Sequence, residues 1–191
     1  MYPGFMSPVT KRKVFISYHH SGDQDMFDRF VRKCSDQYEV FCDNSLDGRI
    51  RSDDPEYVNR RIREEHIVGS SITIVLCGAN TWKRKYVDWE IHSTLHHEHA
   101  LLGIALPSAG RNAQGRITVP DRLHDNIQSG FAYWWVPGAP QGASSFAEAL
   151  YGPSWMNNTT ALLSVMESAI KLSQETAKIQ NGREKMEMNR D

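Results

Sequence analysis

The sequence predicts a single α/β domain in which a mainly parallel sheet of about five strands is covered by helices on both faces, a doubly wound arrangement. Short β-rich segments alternate with segments of helical periodicity, as parallel sheets require. The segment 71–78 is almost continuously apolar, which is typical of a strand buried on both faces. The 191 residues, 40% of them apolar, suffice for one domain with a substantial core and are few for two.

The elements follow one another along a domain expected to span 13–178. Five strands are predicted, at KVFISY (13–18), YEVFCD (38–43), SITIVLCG (71–78), ALLGIAL (100–106) and FAYWWV (131–136). The helical spacing of apolar residues predicts four helices. They lie over 25–37, in a segment that Pro55 opens at its first turn, around Glu90, and over 161–172. The polar segment HHSGDQ, and 107–130 and 137–157, are expected to be connections. Residues 1–12 form an extension, and 179–191 a charged, flexible tail.

Charge and composition exclude several classes of protein. The 22 basic and 23 acidic residues give a net charge of −1, so neither nucleic acid nor an acidic membrane is the expected partner. No segment approaches the roughly 18 apolar residues that cross a bilayer, and the N-terminus lacks an apolar signal core, which predicts a cytoplasmic protein. Cys34, Cys42 and Cys77 show no CxxC spacing and are interpreted as reduced core thiols.

Polar and aromatic residues follow the predicted strands, where an open α/β sheet binds its ligands. The candidates are Ser17, Tyr18, His19, Asp43, Asn44 and Trp82. They suit a nucleotide, although strand ends are polar in most proteins. The sequence contains no GxxxxGK[ST], GxGxxG or GxSxG motif, which argues against a P-loop nucleotidase, a dehydrogenase and a serine hydrolase. The histidines at 92, 96, 97 and 99 lack an HExxH motif and are interpreted as a solvated helix face, so no metal ligand is expected.

Glu90 lies in the segment TWKRKYVDWEIHSTL (81–95). At 100° per residue, Val87, Ile91, Thr94 and Leu95 form the stripe that faces the sheet, and Glu90 lies at the border of that stripe. A carboxylate there is partly removed from water, which is how acids acquire functional pKa values. The pattern leaves two interpretations open: an ordinary helix glutamate, or the reactive group of an enzyme.

The segments VFISYHHSGD, VNRRIREEHIVGSSITIVLCGANTWKRKYVDWEIHSTL and ALLGIAL resemble a TIR-like domain, which has a flavodoxin-like fold. More narrowly, they resemble the ThsB-type TIR proteins of bacterial Thoeris anti-phage defence. The resemblance is clearest over 13–106. Tyr86 stands where that family often has tryptophan, a conservative change of shape.

This resemblance implies an enzyme that cleaves NAD between nicotinamide and ribose and makes a cyclic ADP-ribose isomer or a related nucleotide signal. Glu90 is then the catalytic carboxylate, and Ser17, Tyr18, His19, Asp43, Asn44, Trp82 and Tyr86 bind the substrate. NAD is a substrate, and no cofactor is expected. The implied partners are NAD and a separate effector protein activated by the diffusible signal, and self-association is possible.

Two alternatives belong to other classes. Many TIR domains are non-catalytic adaptors, for which the segment 43–55 would be an interface, but an adaptor has no need of Glu90. A phosphoacceptor receiver domain is disfavoured because the first strand ends in SYHH, without the acidic pair that holds magnesium in such domains.

Overall fold

The computed structural model describes residues 11–36, 38–42, 67–137, 159–175 and 178–190. In these ranges the chain forms one parallel sheet, with strands β1 (Arg12–Ser17), β2 (Tyr38–Cys42), β3 (Ile72–Cys77), β4 (Ala100–Ala105) and β5 (Tyr133–Trp135). The order across the sheet is β2-β1-β3-β4-β5. The strand order therefore reverses between β1 and β3, which makes their carboxyl ends the expected place for a ligand.

Helices cover both faces of the sheet. In the described ranges they are α1 (His20–Cys34), α2 (Lys85–His96), α3 (Asp121–Gln128) and α4 (Thr159–Glu175), with a short 3₁₀ helix at Thr81–Lys83. The apolar residues of α1 and α4 share one core, and those of α2 and α3 share the other. The predicted doubly wound α/β fold is confirmed.

The position of β3 at the centre of the sheet explains why its sequence is apolar throughout. Successive side chains of a strand point to opposite faces. Ile72, Ile74 and Leu76 belong to the core under α1 and α4, whereas Val75 and Cys77 belong to the core under α2 and α3. All six residues of β3 are buried, as predicted for this segment.

Helix α1 begins at His20, although the sequence predicts a loop over 19–24. The difference centres on Asp23, which is 4% exposed and has non-helical backbone angles, φ −127° and ψ 15°. Its carboxylate accepts hydrogen bonds from the hydroxyls of Thr81 and Ser108, both at 3.2 Å. Burial raises the pKa of Asp23. A polar segment thus becomes a first helical turn because tertiary partners satisfy its acid, which periodicity does not reveal.

Helix α3 lies within 107–130, where the sequence predicts only a connection. Its inner face buries Arg122 and Asn126 together with Leu123. A charged and a polar residue on the buried face hide the apolar stripe from which a helix is predicted. Arg122 can be buried on this helix because its hydrogen-bond partners come from elsewhere in the chain, and the sequence of 107–130 does not indicate them.

Residues 178–190, here called the C-terminal strap, lie against α2 and α3. Asn126 donates from Nδ2 to the carbonyl of Gln180 and accepts from its N–H, at 2.8 and 2.9 Å. Trp89 donates from Nε1 to the carbonyl of Met186 at 2.8 Å. This arrangement differs from the flexible tail expected over 179–191. The reason is that side chains of α2 and α3 satisfy backbone groups of the strap, an interaction that charged composition alone does not indicate.

The remaining predictions are resolved in part. Cys34 and Cys77 are buried and unpaired, as expected of core thiols, and burial raises the pKa of Cys34 to about 12. The side chain of Cys42 and the helix expected to open at Pro55 fall outside the described residues. No helix in the described part of the chain has the length and apolar character needed to cross a membrane.

Candidate active site

A cleft of about 120 Å³ lies at the carboxyl end of β1, on the side of the sheet that α2 covers. It is lined by Tyr18, His19, His20, Ser21, Arg84, Tyr86, Val87, Glu90 and Asn189. The first four leave β1 and enter α1, the next four precede or begin α2, and the last belongs to the strap. A volume below the roughly 300 Å³ of ordinary ligand pockets means that the described walls contact only one part of a dinucleotide-sized ligand.

The carboxylate of Glu90 forms part of the cleft wall and is held by a hydrogen bond from a strand of the sheet. Ser17 donates a hydrogen bond from Oγ to Oε2 of Glu90 at 2.5 Å. Ser17 is the last residue of β1, and because side chains alternate, it faces α2 whereas Ile16 faces the opposite core. Ser17 is 0% and Glu90 4% exposed. The expectation that Glu90 is only partly removed from water is therefore corrected: the strand beneath α2 and the loop residues around it bury the acid.

The backbone around Glu90 is held by a second polar pair. Thr94, one turn further along α2, donates from Oγ1 to the carbonyl of Glu90 at 2.8 Å. The hydroxyls of Thr94 and Thr73 of β3 lie 2.7 Å apart. This buried contact fixes the position of α2 along β3. The predicted sheet-facing stripe, Val87, Ile91, Thr94 and Leu95, is buried as expected.

Tyr18 stands at the cleft with both faces of its ring covered. His20 stacks on it with centroids 4.2 Å apart and Phe27 with centroids 4.5 Å apart, and two rings at these distances must lie on opposite faces. Its hydroxyl donates to Oε1 of Gln24 at 2.9 Å. Tyr18 therefore contributes to the wall but offers no free face for stacking on a base.

His19 and Tyr86 also line the cleft. Nε2 of His19 lies 2.8 Å from the hydroxyl of Ser21. A Cβ atom at Gly22 would lie 2.7 Å from Nδ1 of His19, so the glycine provides the space for this ring. Tyr86 is half-buried, and its ring meets that of Trp89 edge-on, with centroids 5.5 Å apart.

Four predicted substrate-binding residues are not among the lining residues described for this cleft. Ser17 is 0% exposed and reaches the cleft only through its hydrogen bond to Glu90. Trp82 is not among its lining residues: it lies in the 3₁₀ helix, with the Lys83 ammonium 5.4 Å and the Arg190 guanidinium 5.9 Å from its ring. Asp43 and Asn44 lie outside the described residues.

Five lining residues are not among the site residues predicted from the sequence: His20, Ser21, Arg84, Val87 and Asn189. Arg84 belongs to the basic run KRK that precedes Tyr86, and that run was the signal available for it. Asn189 accepts a hydrogen bond at Oδ1 from the N–H of Lys85, the first residue of α2, at 3.0 Å. No sequence signal connects two residues so far apart in the chain.

No cluster of metal-ligating side chains is found in the ranges that the structure describes. The interpretation of the histidines as a solvated face is wrong for His92, whose Nδ1 is buried with no hydrogen-bond partner among the described residues. Burial, together with the positive charges of Arg122 and Lys185, lowers the pKa of His92 to about 4. Arg122 and Lys185 come from α3 and the strap, elements that the helical periodicity of α2 does not reveal.

The cleft combines one buried carboxylate, two histidines and one arginine with aromatic and small polar residues. Glu90 is the acidic residue among the lining side chains described. A single fixed carboxylate in a water-poor site stabilises a positive charge that develops during a reaction. Among the described lining residues, Glu90 is not accompanied by a second carboxylate of the kind with which ordinary glycosidases protonate a leaving group.

Fold and cleft together define an α/β domain of the doubly wound class with a buried acid at its strand-order reversal. The profile of the family described as Thoeris protein ThsB, TIR-like domain, matches residues 15–111, just over half of the chain. The chain belongs to this family, which confirms the resemblance seen in the sequence. The match includes every cleft residue except Asn189, while α3, β5, α4 and the strap lie beyond it. A search of curated proteins finds no match.

Proposed function

We propose that the chain is an NAD-cleaving enzyme of anti-phage defence, with Glu90 as its catalytic carboxylate. The observation that carries the proposal is the position of this acid. It is buried in the wall of a cleft at the strand-order reversal, and a strand residue, Ser17, holds its Oε2 at 2.5 Å. Although Ser17 satisfies this buried acid, the side chain of Glu90 still forms part of the cleft wall.

The chemistry of NAD fits a site with one carboxylate. When the bond between the nicotinamide nitrogen and the anomeric carbon breaks, the electron pair moves to the cationic ring, and nicotinamide leaves as a neutral molecule. No proton donor is needed for this leaving group, unlike that of an ordinary glycoside. Glu90 then stabilises the oxocarbenium-like ribose until a hydroxyl oxygen attacks the anomeric carbon and the hydroxyl proton is released to solvent. If the attacking group belongs to the same molecule, the product is cyclic.

Family membership supports the finer part of the proposal, in which the product is a cyclic ADP-ribose isomer or a related nucleotide. This product diffuses in the cytoplasm and activates a separate effector protein. Ser17 orients Glu90, while His19, Tyr86 and Tyr18 contact the substrate near the reacting ribose. Asp43, Asn44 and Trp82 remain candidates for the rest of the dinucleotide.

The first experiment incubates purified protein with NAD, with and without lysate from phage-infected cells, and identifies products by mass spectrometry. The expected result is release of nicotinamide together with an ADP-ribose product that wild type makes and Glu90→Gln does not. Infected lysate is included because a defence enzyme active without a trigger would exhaust cellular NAD. NAD left intact under both conditions would favour the non-catalytic adaptor.

A second experiment tests the diffusible signal. Extract from infected cells that carry this chain is filtered to remove protein and added to the effector in a separate vessel. Activation of the effector by the filtrate is the expected result. Activation only when both proteins are mixed would favour direct contact and the adaptor function.

A further inference from the structure

Arg84 is a charged residue of the cleft whose side chain has no role in the proposed reaction at Glu90. It lies between the 3₁₀ helix and α2 and lines the cleft together with Glu90 and Tyr86. Its backbone is held at both ends: its N–H donates to the carbonyl of Thr81, and its own carbonyl accepts from the N–H of Asp88, each at 3.2 Å. The side chain therefore starts from a fixed point at the cleft.

One nitrogen of the Arg84 guanidinium is withdrawn from water without an acceptor among the described residues. Its Nε is buried and has no hydrogen-bond partner among the described residues. Arg122, Arg183 and Arg190, in contrast, each form a salt bridge with a carboxylate. A buried donor without an acceptor costs free energy, and such groups in folded proteins call for an explanation, a bound ligand among them.

The charges around the cleft identify the class of group that Arg84 would bind. Glu90 is the acid among the described lining residues, and it is already held by Ser17. Arginine presents several N–H donors in a planar fork that matches the oxygens of a phosphate. The unsatisfied side chain therefore calls for an anion with paired oxygens, supplied by a ligand.

The separation of Arg84 and Glu90 agrees with the distance between the diphosphate and the reacting ribose of a dinucleotide. Arg84 immediately precedes α2 with an extended backbone, and Glu90 is the sixth residue of the helix, so the two backbone positions lie roughly 10 Å apart along the helix axis. In NAD the diphosphate is joined through one methylene to the ribose whose glycosidic bond breaks. A group that holds the diphosphate must then lie within one or two helical turns of the carboxylate that faces that ribose, and Arg84 does.

We infer that Arg84 binds the diphosphate of the substrate and selects phosphate-bearing nucleotides over their nucleosides. This inference rests on the proposed function, because it places the reacting ribose at Glu90. Arg84 is thus a specificity-determining residue that acts on substrate binding, while the bond that breaks remains at Glu90.

The experiment measures binding of two ligands to purified full-length protein by isothermal titration calorimetry. ADP-ribose carries the diphosphate, and nicotinamide riboside carries the reacting bond without any phosphate. Arg84→Gln removes the charge and the fork, and Arg84→Lys keeps the charge alone. Lys83→Gln is the matched control, since it removes a neighbouring positive charge that does not line the cleft. Melting temperatures establish that each variant is folded.

We expect Arg84→Gln to weaken binding of ADP-ribose by about 10-fold to 100-fold, the range for loss of a hydrogen bond to a charged group. Arg84→Lys should give an intermediate loss. Lys83→Gln should give a loss below about threefold, because its charge lies outside the cleft and is screened by salt. Binding of nicotinamide riboside should not change.

Two results would overturn the inference about Arg84 alone. One is binding of ADP-ribose that is equal in wild type and Arg84→Gln, and the other is an equal loss for both ligands, which would mean that Arg84 only shapes the cleft. A wild-type protein that binds neither ligand and leaves NAD intact in infected lysate would overturn the proposed function as well. The two failures are therefore distinguishable.

Discussion

The hydroxyl of Ser17 lies 2.5 Å from Oε2 of Glu90, although the two residues are 73 positions apart in the chain. One belongs to the end of β1 and the other to the first half of α2, so the contact exists only when α2 packs over the carboxyl ends of β1 and β3. The same contact explains why an acid is tolerated on the buried side of a helix, since a buried carboxylate needs a donor.

Glu90→Gln tests the role of the negative charge. The amide keeps the size of the side chain and can still accept from Ser17, but it no longer opposes a developing cation. We expect NAD turnover in infected lysate to fall by about 10²-fold to 10³-fold. The loss of stability should stay near 1 kcal/mol, the net contribution of an ordinary hydrogen bond. Normal turnover with an unchanged melting temperature would end the catalytic assignment of this residue.

Ser17→Ala tests whether the strand positions the acid. The substitution removes the donor to Oε2, and we expect turnover to fall by about tenfold or more because hydrogen bonds to charged groups are the stronger ones. Ser168→Ala is the control, since Ser168 lies on α4, which packs on the opposite face of the sheet. A melting temperature that falls while turnover per folded molecule stays normal would show that Ser17 serves stability alone.

The buried salt bridge between Arg122 and Asp88 should stabilise the fold, including the contact of the strap with α3. Nε and Nη2 of Arg122 contact the Asp88 carboxylate at 2.9 and 3.2 Å, and Nη2 also donates to the carbonyl of Glu184. Arg122→Leu leaves Asp88 buried without its cation and should cost about 3 to 5 kcal/mol in urea unfolding. Adding Asp88→Asn should recover part of this loss, because no unpaired charge remains and the amide oxygen still accepts from the N–H of Met186. If the stability losses of the two single substitutions simply added in the double variant, Arg122 and Asp88 would not stabilise the fold through each other.

Gly103 provides the space for an aromatic ring beneath α3. A Cβ atom at this position would lie 2.7 and 2.9 Å from ring atoms of Trp134 and 3.0 Å from Leu123. Gly103→Ala should therefore destabilise the fold by about 1 to 3 kcal/mol, the usual cost of overpacking. In the double variant with Trp134→Leu, the alanine should cost much less than in wild type. An equal cost in both backgrounds would show that the ring is not the obstacle.

His92 should make stability depend on pH. Its pKa is lowered to about 4 by burial and by Arg122, Lys185 and His96, against an opposing effect of Asp88. The unfolded chain takes up a proton near the ordinary value of 6.5, whereas the folded chain does not. The contribution of His92 to stability is therefore complete above pH 6.5 and decreases as the pH falls toward 4.

The test is His92→Gln, which cannot take up a proton. Between pH 7 and pH 5 its melting temperature should fall less than that of wild type. Part of the decrease should remain, because burial and His97 also lower the pKa of His99. If the two proteins lost the same number of degrees, His92 would not be the group that titrates.

The sequence by itself determined the class of fold, the positions of its five strands along the chain and the face of α2 that meets the sheet. These features follow from local periodicity: β3 is apolar throughout, and Val87, Ile91 and Leu95 recur at helical spacing. The quoted motifs also identified the family that the profile match confirms. Such features are encoded in residues close together in the chain, so the local sequence is sufficient to predict them.

The tertiary structure alone decided how far Glu90 is buried, that α3 exists, and that the strap closes one side of the cleft through Asn189. Each of these depends on a polar group that finds its partner far away in the chain, as Glu90 finds Ser17 and Arg122 finds Asp88. A polar residue on a buried face looks like an exposed one until its partner is known, because burial of a charge or a hydrogen-bonding group is favourable only when that partner is present.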